Sequence, residues 1–152
     1  MNATRLFALL GLTFALTGCV SYNGDLTPVS PKPKAIRFYD PVNVDSLQPT
    51  FKWTAKDPAR PVELSIWMAV YKGGGFRSNI GFYEIGPLAY SKHGISGSEH
   101  TVEMPLPPDT FFFWSVRYDG TTEWATANRS AYYGVGWESL RGSLFSIETP
   151  KK

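Results

Sequence analysis

The chain has 152 residues, 43% of them hydrophobic and 18% charged, with a net charge of +2 and one cysteine. This balance calls for one folded domain and excludes a mainly disordered chain, a collagen, a coiled coil and a multi-span membrane protein. Fifteen basic against thirteen acidic side chains is too weak a bias to make nucleic acid the partner, and one cysteine excludes an internal disulfide and a multi-cysteine zinc site.

Residues 1–19 read MNATRLFALLGLTFALTGC: a positive charge at Arg5, an apolar run from Leu6 to Leu16, then small residues before Cys19. The run is about half of the roughly 20 residues that a membrane-spanning helix needs, so it reads as an export signal that is removed. Leu16-Thr17-Gly18-Cys19 resembles the lipobox of bacterial lipoproteins. The resemblance implies that residues 1–18 are a signal peptide, that Cys19 is lipidated, and that two or three acyl chains tie the mature chain to the membrane, where one chain alone would hold it only marginally. Val20 stands where the family's inner-membrane retention signal is an Asp. The resemblance therefore implies the outer membrane; the periplasmic side is the expectation, and the sequence itself leaves the surface side open.

Residues 19–33 carry Pro28, Pro31 and Pro33 and read as a Pro-rich tether, with one domain expected over 34–150. From Lys34 onward the period is two, and Gly, Pro, Asn and Asp recur about every ten residues, which predicts an all-β domain. Ile36 and Phe38 alternate with Arg37 and Tyr39, and Phe51 and Trp53 with Lys52 and Thr54. Pro61 to Tyr71 is the clearest strand, with Val62, Leu64, Ile66, Met68 and Val70 on one face and Glu63 and Ser65 on the other. Val102 and Met104 alternate with Thr101 and Glu103; Phe112, Trp114, Val116 and Tyr118 stand opposite Phe113, Ser115 and Arg117; Phe145 and Ile147 close the pattern. Two stacked sheets would bury these sets against each other, giving a single antiparallel β-sandwich of about seven strands.

Leu106, Pro108, Thr110, Phe112, Trp114 and Val116 form L-x-P-x-T-x-F-x-W-x-V, which resembles the E-to-F region of fibronectin type III and other immunoglobulin-like domains. Trp53 fits their strand B tryptophan, and Phe145, Ile147, Thr149 and Pro150 resemble their last strand and its exit. Phe112 stands where the family's tyrosine corner has its hydroxyl, so that corner is held by packing alone or the topology differs, a transthyretin-like sandwich being the alternative.

Templates for chemistry fit poorly. Gly94-Ile95-Ser96-Gly97-Ser98 ends in Ser where a nucleophile elbow needs Gly. Gly73-Gly74-Gly75 lacks a following Lys, and Gly134-Val135-Gly136 has Ser139 where a dinucleotide fingerprint needs Gly. His93 and His100 flank a Gly/Ser-rich turn with too few neighbouring carboxylates to complete a metal shell. Glu99 with Glu103 reads as a solvated strand edge. The expectation is a non-enzyme without cofactor or metal.

Two stretches are rich in aromatics outside the clear strands. One, Tyr71 to Tyr90, holds Phe76, Phe82, Tyr83 and Tyr90 around three glycines; the other, 120–141, is long for a hairpin loop and holds Trp124, Tyr132, Tyr133 and Trp137. Trp and Tyr give large contact area at low rotamer cost, so Trp124, Tyr132, Tyr133 and Trp137 are the candidate partner-binding residues, unless they fold back over the open end of the sandwich as core. The expected partner is another cell-envelope protein. A glycan, peptidoglycan or polysaccharide, is the alternative, with Glu123, Asn128 and Arg129 supplying hydrogen bonds to sugar rings stacked on the aromatics.

Overall fold

In a computed structural model the period-two pattern becomes eight β-strands, with no helix among the described residues, which are 24–31, 41–74, 81–125 and 145–152. The strands are β1 (Leu26–Ser30), β2 (Val42–Asn43), β3 (Thr50–Ala55), β4 (Val62–Gly74), β5 (Gly81–Ile95), β6 (Glu99–Thr101), β7 (Phe111–Tyr118) and β8 (Phe145–Glu148). One sheet has three strands in the order β1-β3-β6, and the other has five in the order β2-β8-β7-β4-β5. All pairings are antiparallel except β2 with β8. The chain is an all-β sandwich.

Alternation on facing strands fills the space between the sheets. Phe51 and Trp53 of β3 meet Val62, Leu64 and Ile66 of β4, Phe112, Trp114, Val116 and Tyr118 of β7, and Phe145 and Ile147 of β8, all buried in one core. The ring centroids of Phe51 and Trp114 lie 4.6 Å apart and those of Trp114 and Phe145 5.1 Å, so Trp114 joins the two sheets. Tyr118 closes one end: its hydroxyl accepts a hydrogen bond from the Asp57 backbone N–H at 3.1 Å, and Arg60 lies over its ring at 4.0 Å.

The structure moves several expected boundaries. Residues 19–33, expected as a tether, contribute β1, whose Leu26 is buried and whose Pro28 pairs with Trp53. Pro28 is tolerated because β1 is the edge strand of its sheet, where a missing N–H leaves no ladder bond unmade. Ile36 and Phe38 lie outside the described residues. The strand expected around Val102 and Met104 is instead Glu99–Thr101, with Val102 buried just past its end and Met104 exposed. The segment that leads into β7 is tied to the end of β8 by Thr149, whose hydroxyl donates to the Pro107 carbonyl at 2.7 Å and accepts from the Thr110 N–H at 3.1 Å.

The largest difference is β5, which runs through the stretch expected as an aromatic loop. Pairing of β4 with β7 covers Val62 to Met68, whereas β4 and β5 stay paired out to Gly74 and Gly81, so the β4–β5 ribbon projects past the sandwich. Register shifts near Trp67, bulges that kink the ribbon, let β5 accommodate Gly86 and Pro87. A Cβ on Gly86 would stand 2.5 Å from Val70 Cγ2 and 2.8 Å from the Met68 carbonyl oxygen. Gly86→Ala is therefore expected to destabilise the domain by about 1–3 kcal/mol, the usual cost of forcing atoms into a filled site. Chemical denaturation checks this, and an unchanged midpoint would mean that the ribbon does not approach so closely at the bulge.

Candidate functional site

Side chains of β4 and β7 that do not enter the core line the outer face of the five-stranded sheet, and the register sets them in rows. Glu63 stands opposite Arg117, Ser65 opposite Ser115 and Trp67 opposite Phe113. Across the other edge of β4, Ser65 pairs with Ser91, Trp67 with Leu88, Ala69 with Ile85 and Tyr71 with Tyr83. The face thus runs from a charged end, through serines, to an aromatic end. Ser65 Oγ lies 3.0 Å from Ser91 Oγ and donates to Glu63 Oε1 at 3.1 Å.

At the charged end, Arg117 Nε donates to Glu63 Oε2 at 2.5 Å. Glu63 is almost wholly buried, its side chain 5% exposed, and Arg117 supplies the opposite charge that burial demands. His93 Nδ1 lies 3.0 Å from Asp119 Oδ1 and 3.6 Å from Glu63 Oε2, and the Gly94 N–H donates to Asp119 Oδ2 at 2.9 Å. The hydrogen bond to Asp119, and then the Glu63 charge, push the His93 pKa above its ordinary value, while the same hydrogen bond holds Asp119 below its own. Glu63, His93 and Asp119 bring three donor atoms within 4.8 Å of one another, a set that the spacing of the histidines did not disclose because the carboxylates come from β4 and from the turn after β7. With Arg117 neutralising Glu63, the arrangement is an ion-pair relay: Arg117, Glu63, His93, Asp119.

The aromatic end is a chain of rings. Tyr71 meets Tyr83 at 5.3 Å, Tyr83 meets Phe111 at 4.5 Å, and Phe111 meets Phe113 at 5.2 Å, with interplanar angles of 60°, 88° and 52°. Trp124 joins the two ends. It is half-buried, meets Trp67 edge-on at 5.1 Å, and carries the Arg117 guanidinium over its ring at 4.3 Å. The Ala125 N–H next to it donates to the Val116 carbonyl at 2.8 Å, and Ser115 Oγ donates to the Ala125 carbonyl at 3.3 Å, so this segment is fastened to β7.

Of the four candidate partner-binding residues, Trp124 alone falls within the described residues; Cys19, Tyr132, Tyr133 and Trp137 lie outside them, as do Asn128 and Arg129, while Glu123 lies within them and is half-buried. Trp124 is anchored to the sheet rather than held out in a loop. Glu99 and Glu103 do not pair with each other: Lys52 holds Glu99 and Lys92 holds Glu103, each at 2.7 Å, on the exposed edge. His100 stacks on Tyr90, its Nε2 lying 2.6 Å from the Tyr90 hydroxyl, and burial lowers its pKa, which makes it a packing histidine. An open depression of about 380 Å³ beside Ser30, Asn43 and Gln48 has Asp45 as the one titratable group among its described lining residues, which assemble no chemistry.

Comparison with protein-family models, with curated proteins and with solved structures finds no match to this chain.

Proposed function

We propose that the chain is a lipid-anchored, non-enzymatic adaptor of the bacterial outer membrane whose β-sandwich binds another envelope protein through the aromatic end of the five-stranded sheet. One observation carries the reading. Four of the six large hydrophobic residues that stand exposed among the described residues belong to the β4–β5 ribbon at and beyond the end of its pairing with β7: Tyr71 and Leu88 on the face of the ring chain, Met68 and Val70 on the other face. An exposed apolar cluster of this kind on an otherwise well-packed domain marks a contact surface for protein.

The rings favour protein over glycan. Sugar stacking needs a flat ring face, but successive rings here meet at 52° to 88°, and Trp124 has Arg117 over one face. The β5 edge is poorly suited to strand addition, because its bulges and Pro87 interrupt the row of backbone donors that an added strand would use. Docking of apolar side chains on the ribbon is the mode that remains.

The strand orders support an immunoglobulin-like relationship, with β1, β3 and β6 in the places of strands A, B and E, and β8, β7, β4 and β5 in those of G, F, C and C′. The lipobox resemblance at Leu16–Cys19 supports the anchor. With β1 starting at Leu26, the chain between lipid and domain spans at most about 25 Å, so the sandwich works close against the membrane.

The test is a photo-crosslinking residue at Tyr71 in the full chain in intact cells, with one at exposed Thr54 on the opposite sheet as control. A discrete protein adduct at Tyr71 alone, abolished by Leu88→Asp, is expected, and Cys19→Ser should move the protein out of the membrane fraction and reduce the adduct. A sugar-bearing smear, the same adduct at both positions, or none at Tyr71 would overturn the reading.

A further inference from the structure

His93 touches both supports of Trp124. On one side its Nδ1 meets Asp119, whose other oxygen takes the Gly94 N–H; Asp119 begins the turn in which the Thr121 N–H donates to the Tyr118 carbonyl at 3.0 Å and Gly120 takes a φ of 76°. On the other side His93 lies 3.6 Å from Glu63, which holds Arg117, which in turn lies over the Trp124 ring. The charged groups facing His93 are thus Glu63 from β4, Arg117 from β7 and Asp119 from the turn. Its neighbour Lys92 pairs across β4 with the core residue Leu64 and is held by Glu103.

Two carboxylates and one guanidinium leave one negative charge uncompensated when His93 is neutral. Protonation of His93 cancels it and strengthens both contacts at once. We propose that His93 is a proton-operated latch that fastens the turn after β7, and with it Trp124, against the outer face of the five-stranded sheet. Resting on the docking reading above, the latch would regulate that surface, because Trp124 packs on Trp67 where the aromatic end begins.

The sign follows from the contacts. Both carboxylates favour the charged imidazole, so the midpoint lies above the ordinary histidine value; the latch is closed below that ordinary value and opens as pH rises through the raised midpoint. Burial lowers the His100 pKa, which sets its titration on the acid side of that of His93.

The test is amide hydrogen exchange, read by NMR on the full chain, at the Gly94 and Ala125 N–H groups, whose acceptors are Asp119 and Val116. After correction for intrinsic exchange, protection is expected to fall roughly three- to tenfold between about pH 6 and pH 8.5. His93→Gln, at a 61% exposed side chain that the fold tolerates, and Asp119→Asn should each remove the pH dependence. Protection that does not change with pH, or that still changes in His93→Gln, overturns the latch. The two readings fail separately: loss of the Tyr71 adduct with the exchange transition intact refutes docking, and an adduct with flat exchange refutes the latch.

Discussion

Trp114→Ala is expected to lower the stability of the domain by about 3–5 kcal/mol, with an unfolding midpoint lower by roughly 10–25 °C in a thermal scan. Trp114 is fully buried, lies between Phe51 of the three-stranded sheet and Phe145 of its own, and is flanked in β7 by the buried Phe112 and Val116. Truncation leaves a cavity between the two sheets, and strands on both sides, each tied into a hydrogen-bonded ladder, restrict collapse into it. The indole N–H has no hydrogen-bond partner among the described residues, so what these residues lose is packing. Trp114→Phe should consequently cost much less, roughly 1–2 kcal/mol, since it keeps an aromatic ring in place and removes a buried donor without an acceptor. A loss below about 1 kcal/mol for Trp114→Ala would mean that the sheets do not share this contact.

How much of this was legible in the sequence depends on whether a residue's role was local. Alternation in Pro61 to Tyr71 and Phe112 to Tyr118 disclosed β4, β7 and the core they bury, because a period of two assigns side chains to faces without knowledge of partners. It also placed Glu63 and Ser65 on the outer face. It could not show that Glu63 would lie opposite Arg117, since register across strands 54 residues apart is set by the whole sheet. The same limit hid the His93 cluster, whose carboxylates arrive from β4 and from the turn after β7. β5 was obscured for a different reason: Gly86 and Pro87 signal a loop, and the bulges that accommodate them break the alternation that would have signalled a strand. Pro28 masked β1 likewise, because proline reads as a breaker unless the strand is known to lie at an edge.

Arg117→Ala is expected to cost about 3 kcal/mol, more than the loss of an exposed ion pair, because it strands a carboxylate. The Glu63 side chain is 5% exposed and that of Arg117 25%, so removing the guanidinium leaves a nearly buried charge with Ser65 and His93 as its remaining neighbours, while Trp124 loses the cation over its ring. Removing the charge itself separates these effects. In a Glu63→Gln background, the same Arg117→Ala change should cost only about 1 kcal/mol, the residue of lost packing on Trp124, since a neutral amide needs no counter-charge. His93 gives the pair a pH signature. In Arg117→Ala it is the remaining cation beside Glu63, so the deficit in a denaturation experiment should be smaller on the acid side of the His93 midpoint than on the alkaline side. Equal costs of Arg117→Ala in the two backgrounds would show that Glu63 does not depend on Arg117, and a deficit independent of pH would detach His93 from the pair.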